Sequence, residues 1–121
     1  MTAFQSDNDL INQPSWYVTP QKVQAAIDTI VALFNPSKLI LFGSYVKGNL
    51  HRDSDLDLLV VTEFDVENPR KESIKIRRSL KGIQMSIDVL VIGKTRLMEL
   101  ADVPGLIYRE ALQNGKIVYE R

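Results

Sequence analysis

Segments with helical periodicity alternate with short apolar runs along this chain of 121 residues, and that alternation predicts an α/β domain. The apolar runs 39–42, 58–61 and 89–92 are of strand length and far too short to cross a bilayer. Proline, glycine and asparagine punctuate the periodic segments at their ends, as separate helices and strands require. No internal repeat, low-complexity tract or linker divides the sequence, so one domain with one core is expected.

Residues 1–18 are polar and have no sustained period, and they read as a tail or arm preceding a domain at 19–121. Trp16 and Tyr17 are the residues able to dock that arm. Thr19-Pro20 then supplies a capping hydroxyl and a proline for the first helical position. Val23, Ile27, Ile30, Val31 and Phe34 fall on one helical face, and Asn35-Pro36 ends the helix. Lys38 to Phe42 reads as a buried strand, Gly43-Ser44 as a turn, and 44–49 as a short helix leading into a polar loop. A second strand is expected over 55–62. Asn68-Pro69 opens a long helix that Gly82 ends, and a third strand covers 84–92 up to Gly93. Short helices near 94–101 and from Pro104 to Asn114 follow, with a last strand at 116–119.

The chemistry lies at the strand ends. Side chains alternate across a strand, so Asp55 and Asp57 share one face while Leu56, Leu58 and Val60 take the other. Ser86 and Asp88 likewise share a face opposite Ile87, Val89 and Val91. If the second and third strands are neighbours, Asp55, Asp57 and Asp88 meet at one end of the sheet. Clustered carboxylates repel one another, and divalent cations relieve that conflict. Mg²⁺ favours such oxygen ligands together with substrate phosphates, and two ions can stabilise both oxygens of an in-line displacement. Gly43 allows a ligand close to the main chain, and Ser44 offers a hydroxyl and an amide at a helix start, where anions are favoured. A phosphate cradle beside three convergent acids points to magnesium-dependent phosphoryl or nucleotidyl transfer.

Other features are less decisive. Formal net charge is zero, so bulk electrostatics predict neither a nucleic-acid binder nor a membrane-surface protein. The absence of cysteine excludes disulfides and cysteine-based metal sites, and fits a reducing cytoplasm, the location expected. The start of the chain lacks the pattern of a signal peptide. Lys47 and Arg52, inside the motif loop, are candidates for triphosphate contact, with plain surface charge as the alternative. Arg70, Lys71, Lys75, Arg77, Arg78 and Lys81 face a single acid, Glu72, on the 69–81 helix. A solvated helix face is the plainer explanation; phosphates, RNA or an acidic partner surface are the functional ones. His51 receives no catalytic role, and Tyr45 is assigned to core packing.

The pattern Gly43-Ser44, ten residues, Asp55-x-Asp57 resembles the signature of the DNA polymerase beta-type nucleotidyltransferase superfamily. The longer stretch LFGSYVKGNLHRDSDLDLLVV is similar to the minimal nucleotidyltransferases, or MNT proteins, and the ending GLIYREALQNGKIVYE looks like theirs. The resemblance runs from about Leu39 to Ile92, with no departure from the motif. It implies a small mixed β-sheet flanked by helices. It also implies that Gly43 and Ser44 hold nucleotide phosphates, that Asp55 and Asp57 bind two Mg²⁺ ions, and that Asp88 completes the site as metal ligand or general base. Members of this kind can act as antitoxins, in a hetero-oligomer with a HEPN-domain ribonuclease toxin, by moving AMP from ATP to a toxin tyrosine. The short chain leaves no room for the extra substrate-binding domains of polymerases, which favours a macromolecular acceptor. A stoichiometric, non-catalytic antitoxin and a small-molecule nucleotidyltransferase are the alternatives.

Overall fold

The computed structural model describes residues 17–47 and 55–121. Trp16, His51, Arg52, Ser54 and the loop expected at 49–54 lie outside the described residues.

Helix α1 (Pro20–Phe34) starts where Thr19 caps it, its side-chain oxygen accepting from the Lys22 amide at 3.2 Å. Asn35 ends the helix in a left-handed conformation (φ 47°), its amide donating to the Val31 carbonyl at 3.2 Å. Val23, Ala26, Ile27 and Ile30 form the buried face of α1, with Val31 and Phe34 at its margin. Val18, just ahead of the cap, is buried in the same cluster.

Four strands follow: β1 (Lys38–Phe42), β2 (Leu56–Thr62), β3 (Ile87–Gly93) and β4 (Lys116–Glu120). They form one mixed sheet in the order β3-β2-β1-β4, with β2 and β3 parallel and the other pairs antiparallel. The parallel pair needs a crossover, supplied by α3 (Pro69–Ser79), which Asn68 caps. A four-residue helix α2 (Ser44–Lys47) follows β1 directly; α4 (Lys94–Leu100) and α5 (Ile107–Asn114) lie between β3 and β4.

Alternation along the strands divides the core into two clusters. Leu39, Leu41, Leu56, Leu58, Val60, Val89 and Val91 pack with α1 and with Ile76 and Leu80 at the end of α3. Ile40, Phe42, Leu59, Val61 and Ile92 pack with Leu97 of α4 and Ala111 of α5 on the other face. Helices therefore cover both faces of the sheet, as its doubly apolar strands demand.

Three boundaries differ from the sequence expectation by about three residues, and the first is the end of α3, which stops at Ser79 with Leu80 as its cap rather than running up to Gly82. The third strand begins at Ile87 rather than 84, because β2 offers Leu56 as its first partner, paired with Ile87. Ahead of it the Leu56 amide still donates to the Ser86 carbonyl at 2.9 Å. The helix expected from Pro104 begins at Ile107 instead. Gly105 has φ +85°, so Val103-Pro104-Gly105-Leu106 makes a turn of the kind that takes proline second and glycine third.

Candidate active site

Asp57 and Asp88 are direct register partners on the parallel strands β2 and β3. Neighbouring strands lie roughly 4.8 Å apart, so partners with the same parity present their side chains side by side. Leu56 and Leu58 point into the cluster under α1 and α3, which leaves Asp57 and Asp88 on the face shared with Leu59, Val61 and Ile92. That face is roofed by α4 and α5 farther along the strands.

The electrostatics reflect this crowding. Burial raises the Asp57 carboxyl above the usual aspartate range, and the charges of Asp88 and then Asp55 push it further the same way. Asp55, at the mouth of β2, accepts a short hydrogen bond from the Ser86 hydroxyl. Among the described residues, no three acidic or histidine side chains form a ready metal cage. Asp55 is turned toward Ser86. The donor set itself, three carboxylates with one already disfavoured as a lone anion, suits a hard divalent ion.

The Gly-Ser turn abuts these acids. Gly43 follows β1 with φ +79°, a conformation costly for residues with a Cβ. A Cβ there would overlap the Asp57 Oδ2 atom and stand 3.2 Å from Asp57 Cγ. The backbone of residue 43 therefore lies directly against the carboxylate, and Ser44 opens α2 from that point. Phe42, the residue before the turn, is the register partner of Asp57 on the other side. The tertiary fold thus brings Gly43, Ser44, Asp57 and Asp88 to one end of the sheet, with Asp55 at its edge. Tyr45 packs against the cluster under α1 and α3.

Lys47 at the end of α2 forms an ion pair with Glu110 of α5 at 2.8 Å. Glu110 is held below the usual glutamate range by its hydrogen bond from Lys47, then by one from Asn114, then by the Lys47 charge. Arg52 lies outside the described residues. Two participants have no role in the expectations from sequence. Ser86 shares the parity of Asp88, and that signal was available. Glu110 lies 63 positions from Lys47 (110 minus 47), and nothing local in the sequence marks their contact.

The family profile described as "Polymerase beta, Nucleotidyltransferase" matches residues 24–121. Among solved structures, the chain is similar to a Sulfolobus solfataricus protein provisionally described as a nucleotidyltransferase, at 16% identity and TM-score 0.59, covering 84% of this chain and 79% of that one. It is also similar to a chain of a toxin–antitoxin complex with AMP-PNP, at 20% identity and TM-score 0.53, covering 86% and 75%. A chain of the toxin–antitoxin pair MntA–HpeT, with one tyrosine changed to alanine, aligns at 16% identity and TM-score 0.56, covering 86% and 74%. At these identities the likeness is one of fold. No curated protein sequence matches. Among the described residues, no helix is long and apolar enough to cross a membrane. The profile spans most of the chain and includes both the Gly-Ser turn and the paired aspartates, so the chain belongs to the polymerase beta nucleotidyltransferase family.

Proposed function

We propose that this protein is a magnesium-dependent nucleotidyltransferase that moves AMP from ATP to the hydroxyl of a tyrosine of a HEPN-domain toxin, with pyrophosphate as the leaving group, and thereby acts as its antitoxin. The observation that carries the reading is the packing of Gly43 against Asp57, itself in register with Asp88. A phosphate-binding turn and a carboxylate pair placed so closely suit a metal-bound triphosphate. Similarity to chains of toxin–antitoxin complexes, one of them with AMP-PNP, supports a toxin partner and an adenine nucleotide. A cytoplasmic location accords with the absence of cysteine.

In this reading Asp55, Asp57 and Asp88 hold the cations, and Gly43 and Ser44 receive the phosphates. Bound Mg²⁺ would neutralise charge developing on the phosphoryl oxygens. Asp88, exposed near the start of edge strand β3, would serve as metal ligand or accept the proton of an incoming hydroxyl. Lys47 would exchange Glu110 for a phosphate oxygen, and Arg52, outside the described residues, would add a second cation. Positioning and charge neutralisation supply most of the rate. The test is to incubate the protein with its toxin partner and each labelled NTP, and to locate the modified residue by mass spectrometry. Label from ATP on a toxin tyrosine is the expected result. Toxin inhibition without any label would favour the stoichiometric antitoxin, and label on a small molecule alone would favour the other rival.

Gly43→Ala tests the turn. The left-handed conformation should cost roughly 1–2 kcal/mol of stability. The new methyl group should also displace the Asp57 carboxylate, so transfer should fall by far more than the lost stability explains. Thermal unfolding and the transfer rate, measured on the same preparation, check this. Equal, modest losses in both would mean that the turn matters only to the fold.

A further inference from the structure

We propose that the basic groove along α3 docks an acidic segment of the protein acceptor and orients it toward the aspartates, an inference that deepens the transfer reading above. The groove comprises two adjoining cavities. One, of about 1080 Å³, runs past four cations, Arg70, Lys71, Lys75 and Arg78, with Glu67 and Glu72 as the acids in its lining. The other, of about 720 Å³, passes Arg77, Arg78, Lys81 and Ser86 and ends at Asp55 and Asp88. Ile74 and Arg78 line both parts.

Three observations define the occupant. First, the chain is neutral overall, yet α3 carries five basic residues against Glu72, and Lys81 extends the row. None of these six cations forms an ion pair among the described residues, although Lys38, Lys47, Lys94 and Arg96 do. Their charge is thus available to a partner. Second, Ile74 is 41% exposed in the middle of this basic strip. The buried face of α3 is served by Ile76, with Leu80 just beyond the helix, so Ile74 is free to receive an apolar side chain. Third, no aromatic side chain lines either part among the described residues. Single-stranded nucleic acid is usually held by base stacking on aromatic rings as well as by charge. An acidic peptide with an apolar anchor fits this lining better than RNA does.

Polarity along the groove sets the direction. Cations line α3, whereas Asp55 and Asp88 stand at the far end. An acidic peptide would be repelled there unless it presents an uncharged residue, such as a tyrosine, to the aspartates. β3 is an edge strand, so its outer side is open to such a chain. The groove would thus select both the segment and the residue within it that meets Asp88.

The test uses the full chain without nucleotide and a fluorescein-labelled twelve-residue peptide carrying four glutamates, one leucine and one tyrosine. Fluorescence anisotropy should detect binding that weakens with added salt. Binding should fall by roughly tenfold or more in Arg77→Glu/Arg78→Glu, and measurably in Ile74→Ser. Arg77→Gln/Arg78→Gln, a milder change at exposed positions, keeps the test valid if charge reversal disturbs folding. Affinity indifferent to these changes would overturn the proposal. So would tighter binding of a twelve-nucleotide oligouridylate, or self-association through this face that excludes the peptide. Absent label transfer with intact peptide binding would count against the proposed reaction alone. Transfer that survives with no charge dependence would count against the groove alone.

Discussion

Replacing Asp55 and Asp57 together by asparagine is expected to abolish nucleotidyl transfer and leave a folded protein that is at least as stable at neutral pH without metal. The reason is the environment of Asp57, whose carboxyl is raised first by burial, then by Asp88 and Asp55. A carboxyl raised on folding holds its proton more tightly in the folded protein than in the unfolded chain. The stability this gives is fully present below the unfolded pKa and is lost as pH rises through the folded value. At neutral pH the ionised Asp57 is therefore a net cost to the metal-free fold. Asparagine removes that cost and retains an oxygen that can accept from Ser86 in place of Asp55. The wild-type unfolding midpoint should decline relative to the variant as pH is raised from the acid side through the Asp57 transition. Added Mg²⁺ should raise the wild-type midpoint at neutral pH and leave the variant unmoved. A folded double variant that still transfers label would remove both residues from the site.

How far the sequence carried depends on the range of the interaction. Caps and turns are local, so Thr19-Pro20, Asn35 and Asn68-Pro69 were legible as helix boundaries and appear as such. Strand parity is also local, which made the shared face of Asp55 and Asp57 readable. The adjacency of β2 and β3 had to be assumed, and the observed register of Asp57 with Asp88 supplies it. Where partners are distant, reading failed. The third strand looked longer because 84–86 continue its alternation, but pairing begins only with the first partner that β2 presents. Pro104 has the chemistry of a helix start, yet the following glycine at positive φ makes a turn of it. The Lys47–Glu110 ion pair joins α2 to α5, and no spacing rule connects them. The basic helix was legible as charge. Its groove, shared with Asp55 and Asp88, required the crossover that lays α3 beside β3.

Asp88→Asn should reduce transfer by on the order of 10²–10⁴-fold if Asp88 accepts the proton of the acceptor hydroxyl. The substitution keeps the shape of the side chain and removes its charge and its basicity, and position 88 is exposed, so folding should be little affected. Two further measurements separate its possible roles. If Asp88 acts mainly as base, Mg-ATP affinity should hold while the rate collapses, because Asp55 and Asp57 still supply ligands. Should it be chiefly a metal ligand, Mg-ATP affinity falls along with the rate. The third measurement does not depend on activity at all. Asp88 is the largest charge acting on Asp57, second only to burial, so its removal should lower the Asp57 pKa without bringing it fully to the ordinary range. A carboxyl NMR titration of the metal-free protein reads that shift directly. The downward shift with near-native transfer would mean that the two acids feel each other but that Asp88 takes no part in the reaction. Chemistry would then rest on the Gly-Ser turn, Asp55 and Asp57, and another group would have to take the proton.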